Sequence, residues 1–115
     1  MHIENDQGKT VAILSYITII GFIIALVMNG ESRNKSELGI FHLRQALGIH
    51  LTAVAFSFVQ FIFLAIPIIG WLANIIIPIA IFVFWILGLI AAINSEKKAV
   101  PVVGPIYQNL FAGIG

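Results

Sequence analysis

The side chains best suited to chemistry share one stripe. His42, Ala46, His50, Ala53, Ser57 and Gln60 recur at spacings of three and four, and at about 100° per residue they fall within an arc of roughly 80° on a helix. Leu, Ile, Val and Phe fill the other faces. Polar groups facing hydrocarbon are costly, so this side is expected to face protein. Two uses compete. Small residues let helices approach closely, while Ser, Gln and His make interhelical hydrogen bonds worth about 1 kcal/mol each. Alternatively the stripe is a polar path for an ion, a proton or a polypeptide, with His42 and His50 titrating. No acid lies within it to partner the histidines, which favours packing.

Other chemistries lack their residues. Besides His42 and His50 there is only His2, and there is no cysteine, so neither a metal site nor haem ligation is expected. The acids are Glu4, Asp6, Glu31, Glu37 and Glu96. They are too scattered to form the nucleophile–base pair or metal-holding cluster that membrane hydrolases and transferases need. No glycine-rich phosphate loop occurs. The expected protein is not an enzyme and carries no cofactor.

The elements that must position the stripe follow from charge placement. The 115 residues are 60% hydrophobic and 10% charged, against roughly 25% charged in a soluble domain. With a mean hydropathy of +1.06, the chain reads as an all-α integral membrane protein. A net charge of +1 gives no case for nucleic acid. No Asp, Glu, Lys or Arg occurs between Lys9 and Glu31, or between Arg44 and Glu96. A helix needs about 20 apolar residues to cross a core of about 30 Å. The first gap therefore holds one span and the second gap two. The expected single transmembrane domain, residues 1–115, has spans at about 10–29, 46–66 and 71–94, with Pro67-Ile68-Ile69-Gly70 as the break. Pro78 is expected to kink the third span near Asn74; a re-entrant loop from Pro67 to Pro78 is the alternative. The first span lacks a small-residue cleavage site and is expected to be retained.

An interfacial helix over about 36–47 leads into the second span. Ser36 is its N-cap and Glu37 lies in its first turn. Ile40, Phe41, Leu43 and Leu47 dip toward acyl chains, and Arg44 snorkels to head groups. After the third span, the tail over 95–115 is interrupted by Pro101 and Pro105. Its short amphipathic segment carries Ile106, Tyr107, Leu110, Phe111 and Ile114, and is expected to lie along the membrane surface. Thr18, Gly21, Ala25 and Asn29 form a small-residue stripe on the first span, and Gly88 and Ala92 a pair on the third. No internal repeat is expected. Arg33, Lys35, Arg44, Lys97 and Lys98 oppose Lys9 alone, so the N-terminus is expected outside and the tail in the cytoplasm.

The run Phe41-His42-Leu43-Arg44-Gln45-Ala46-Leu47-Gly48, and the run from Gly88 through Asn94-Ser95-Glu96-Lys97-Lys98 to Pro101 and Gly104, resemble a family of small bacterial membrane proteins. That family is grouped with the chloroplast inner-envelope Tic import component and with magnetosome membrane proteins. The resemblance implies a small multi-span module of the bacterial inner membrane, with Phe41, His42, Arg44 and Gln45 as its pattern residues. The plant relatives have four spans in a protein-conducting assembly, where three are counted here. Arg44 at the interface is suited to a lipid phosphate or a partner's carboxylate, and His42 and Gln45 to bonding an adjoining helix. The plainer role is to cap and anchor the second span. The expected function is a non-catalytic subunit packing against larger integral membrane proteins, as an accessory of a protein translocation or assembly complex. The alternative is a homo-oligomeric pore or carrier lined by His42, His50, Ser57 and Gln60. Lipid head groups are expected near Arg44, Lys97 and Lys98.

Overall fold

The computed structural model of the chain describes residues 3–31 and 36–114. His2, Arg33 and Lys35 lie outside the described residues, as do the side chains of Glu4, Asp6 and Glu31. Five helices follow one another: α1 (Ile3–Ile17), α2 (Ile19–Glu31), α3 (Glu37–Leu64), α4 (Ile69–Ile93) and α5 (Val103–Leu110). Among the described residues α3 and α4 are long and apolar enough to cross a membrane. They pack antiparallel: Lys97, just past α4, meets Glu37 at the start of α3, and Asn74 near the start of α4 meets Gln60 near the end of α3.

In place of the expected single span over 10–29, the chain breaks at Thr18 and folds back. Thr18 caps α2, its Oγ1 accepting from Gly21 N–H at 3.2 Å, while its carbonyl accepts from Phe22 N–H at 2.8 Å. Gly21 lets the turn close, because a Cβ there would sit 2.7 Å from the carbonyl oxygen of Leu14. Gly8 lies against Ser36 and Val11 against Gly39, and Ser15 reaches His42, so α1 runs parallel to the first half of α3. Phe22 then meets His50 edge-on, and α2 returns toward the start of α3. The small-residue stripe faces inward: Gly21, Ala25 and Asn29 are buried, with Thr18 exposed at the turn. This hairpin brings Lys9 to the same end as Arg44, Lys97 and Lys98, rather than to the opposite side as expected.

The first turns of α3 are capped by Ser36, whose side chain accepts from Gly39 N–H. His42, Leu43, Gln45 and Ala46 are fully buried, and the helix runs unbroken for 28 residues, about 42 Å. Helix α4 likewise runs through Pro78, so no loop forms between Pro67 and Pro78.

An internal repeat is present after all. Ala65-Ile66-Pro67-Ile68-Ile69-Gly70 and Ala99-Val100-Pro101-Val102-Val103-Gly104 share the pattern Ala, branched, Pro, branched, branched, Gly. Each builds the same turn. Ile69 N–H donates to the Pro67 carbonyl and Val103 N–H to that of Pro101, both at 2.7 Å. Gly70 N–H and Gly104 N–H reach the carbonyls of Ile66 and Val100, both at 3.1 Å. The residue after each proline has positive φ, 65° at Ile68 and 69° at Val102, the signature of a tight three-residue turn. The first copy reverses the chain between α3 and α4. The second reverses it after α4, and α5 comes back beside α3.

The outcome measures 54 × 22 × 22 Å. One end, the basal bundle, gathers α1, α2, α5, the first half of α3 and the last half of α4. Its core includes Val11, Ala12, Tyr16, Ala25, Leu43, Ala46, Ala92 and Tyr107. The other end is a bare arm of α3 and α4, with Phe58, Phe61, Ile69 and Trp71 exposed. Positive φ at an exposed, β-branched Val102 is strained, so Val102→Gly is expected to raise stability by about 1 kcal/mol. Gly21→Ala is expected to lower it by about 1–3 kcal/mol. Thermal unfolding in detergent reads both, and an equal effect of the two would refute the turn geometry.

Candidate functional site

The centre of the basal bundle is a closed set of hydrogen bonds around His42. Its Nε2 lies 2.7 Å from the carbonyl oxygen of Glu96, which only accepts, so Nε2 carries the proton. Nδ1 must then accept, and it takes the hydroxyl proton of Tyr16 at 2.6 Å. The Tyr16 oxygen accepts in turn from Gln45 Nε2 at 2.8 Å. The second proton of that amide points to the Lys98 carbonyl at 3.4 Å, and Gln45 Oε1 accepts from Val100 N–H at 2.8 Å. Every polar atom of these three side chains is used, and all three side chains are buried. Phe41 lies edge-on against the His42 ring.

The neighbouring pattern residues act on the same segment. Arg44 donates from Nε and Nη2 to the Ile114 carbonyl, at 3.2 and 2.9 Å, and from Nη2 to that of Ala112 at 3.1 Å. It therefore holds carbonyls just past the C-terminal end of α5, a place that favours a cation. The Phe41 carbonyl accepts from Gln108 Nε2 at 2.7 Å. Glu37 pairs with Lys97 at 2.8 Å on the exposed surface. Tyr107 lies over Gly48, which leaves no room for a Cβ there, and its hydroxyl bonds Thr52. So Phe41, His42, Arg44 and Gln45 all fasten residues 96–114. The two sequence runs that carry the family resemblance are the two sides of one contact.

A second set of bonds closes the free end of α1. A helix terminus leaves carbonyls without partners, which is costly in an apolar setting. The Ser15 carbonyl accepts from His50 Nε2 at 2.9 Å, and the Tyr16 carbonyl from Trp85 Nε1 at 2.6 Å. The Tyr16 ring packs on Gly88, where a Cβ would sit 2.6 Å away.

The expected stripe is thus divided. His42 and Ala46 belong to the basal bundle, and His50 caps α1. Ser57 donates to Ala53 and Gln60 to the Ser57 carbonyl, both along their own helix. His50, Ser57 and Gln60 line an open groove of about 540 Å³ between the α1–α2 turn, α3 and α4, walled by Phe56, Phe82 and Trp85. The short amphipathic segment of the tail forms α5, which is packed against α3. Arg44 is bonded to carbonyls of the tail, and Lys97 to Glu37. The sequence did not single out Tyr16, Trp85 or Ser15, and it placed Tyr107 only on the apolar face of the tail. The available signal was that Tyr and Trp keep a polar handle that needs a partner when buried. Among the described residues no group of acids, histidines or cysteines is placed to hold a metal ion.

Two long apolar helices, packed at one end by a pair of short helices and a folded-back tail, define a small all-helical protein with two candidate membrane spans among the described residues. Residues 7–107 match the magnetosome magnetite crystal formation protein family, and the chain belongs to it. A UPF0132 membrane protein of Methanocaldococcus jannaschii, MJ1527, is 39% identical over 108 residues, covering 94% of this chain and 70% of its own. A second from the same organism, MJ1443, is 25% identical over 110 residues, covering 92% and 86%. No solved structure matches. The magnetosome side of the expected resemblance holds.

Tyr16→Phe keeps the ring on Gly88 but strands His42 Nδ1 and one Gln45 amide proton. It is expected to cost about 2–4 kcal/mol, whereas Ser57→Ala, removing a local bond on an exposed side chain, changes stability by less than about 0.5 kcal/mol. Chemical unfolding in micelles checks this; equal losses would show that the His42 set does not hold the bundle.

Proposed function

We propose that this protein is a non-catalytic membrane module that crosses the bilayer with α3 and α4 and docks other integral membrane proteins on its bare arm. The groove carries this reading. In the arm only two helices pack, yet Ser57 and Gln60 turn polar groups to the groove. Lipid tails cannot satisfy such groups, and a partner helix can. The basal bundle faces the cytoplasm, since Lys9, Arg44, Lys97 and Lys98 share that end and basic residues are retained on that side. The N-terminal hairpin and the tail then enter from the cytoplasmic face without crossing. This replaces the three-span reading.

The protein works as an accessory component of a membrane assembly. The family's description points to magnetosome magnetite crystal formation, and the resemblance to the Tic component points to polypeptide translocation. The identity of the partners separates them. A homo-oligomeric pore is the competing reading, favoured by His50, Ser57 and Gln60 sharing one groove, although His42 lies outside it.

Gentle purification of the tagged protein from its native membrane, followed by mass spectrometry, is the test. The expected result is a defined set of membrane proteins that is lost from a Ser57→Leu, Gln60→Leu variant. A homo-oligomer alone would favour the pore, and a monomer in every detergent would overturn the docking role.

A further inference from the structure

A depression of about 270 Å³ lies at the basal end between the last turns of α4 and the folded-back tail. Leu87 and Ile90, both half-exposed, form its α4 side, Pro101 closes it, and Glu96 and Lys98 contribute opposite charges. Their backbones and side chains have separate duties. The carbonyls of Glu96 and Lys98 are held by His42 and Gln45. Their charged groups are exposed and have no ion pair or hydrogen bond among the described residues. The backbone is fixed further by the end of α4. Ser95 takes a left-handed conformation (φ 57°), and the Glu96 N–H reaches back to the Ala91 carbonyl at 2.8 Å. An unpaired acid and an unpaired base are therefore held at one apolar-walled depression, beside the end of a membrane-crossing helix.

Lys98 is the cation that lines this depression; Arg44 is bound to the carbonyls of Ala112 and Ile114, and Lys97 to Glu37. An anionic head group in the depression would meet Lys98 next to the unpaired acid of Glu96, which is unfavourable. A zwitterionic head group meets both. We infer that this depression binds an aminophospholipid such as phosphatidylethanolamine, its phosphate on Lys98, its ammonium on Glu96, and an acyl chain along Leu87 and Ile90. A primary ammonium donates hydrogen bonds to the carboxylate. A choline cannot. The inference rests on the basal end lying at the membrane interface, but not on the orientation of the protein or on any protein partner.

The test is native mass spectrometry of the protein reconstituted in nanodiscs holding equal parts of phosphatidylethanolamine, phosphatidylcholine and phosphatidylglycerol. The expected result is retention of phosphatidylethanolamine over either competitor by roughly fivefold. Glu96→Gln abolishes that preference, and Lys98→Ala weakens retention of all three. Because neither side chain holds the fold, both variants are expected to melt with the wild type, which a thermal scan confirms. No preference in the wild type, preference for phosphatidylglycerol, or a preference that survives Glu96→Gln would each overturn the site. The wild-type comparison decides even if a variant unfolds. Retention without co-purifying proteins would separate this site from the docking role.

Discussion

The His42 ring has two nitrogens and both are spent, one proton going to the Glu96 carbonyl and one lone pair filled by the Tyr16 hydroxyl. Through them α1, α3 and the chain beyond α4 meet at a single buried point. Gln45, one turn on, repeats the arrangement, bonding Tyr16 on one side and the backbone of Lys98 and Val100 on the other. In an apolar interior a partly satisfied set of this kind would be worse than none. Here the donors and acceptors balance, so the set favours one arrangement of three segments over every other.

That balance makes short segments tolerable in a membrane protein. Helices of 15, 13 and 8 residues are too short to cross alone, and each exposes ends whose backbone groups need partners. The structure supplies them from side chains on the long helices: His50 and Trp85 for the end of α1, Thr18 for the start of α2, Arg44 beyond the end of α5. Cost and remedy are matched locally. The remainder of α3 and α4, with no short segments against it, stays bare and is the surface on which partners are proposed to dock.

Much of this was legible in the sequence. The apolar composition, the α3–α4 hairpin, its Pro67–Gly70 turn and the Ser36 cap all follow from charge gaps and punctuating residues. The break at Thr18 did not, because hydropathy continues across it without charge or proline. Gly21 and Thr18 looked like packing positions, and they are also a turn. That the tail packs back on α3 was not legible, because nothing local shows that Arg44 reaches residues 112 and 114. Such contacts depend on the chain reversing at Pro101. The six-residue pattern shared with the α3–α4 turn was the one clue to that reversal. At the site, His42 and Gln45 were found by motif, but their partner Tyr16 lay in what looked like an ordinary span.

The most direct test is the side of the membrane on which each segment lies. The chain has no cysteine, so single cysteines can be placed at Lys9, Ile68 and Lys98 and labelled with an impermeant maleimide before and after permeabilisation. If α1 and α2 form a re-entrant hairpin, Lys9→Cys and Lys98→Cys label together from one side and Ile68→Cys from the other. Labelling of Lys9→Cys together with Ile68→Cys would mean that the first segment crosses the membrane, and the His42 arrangement could not then form.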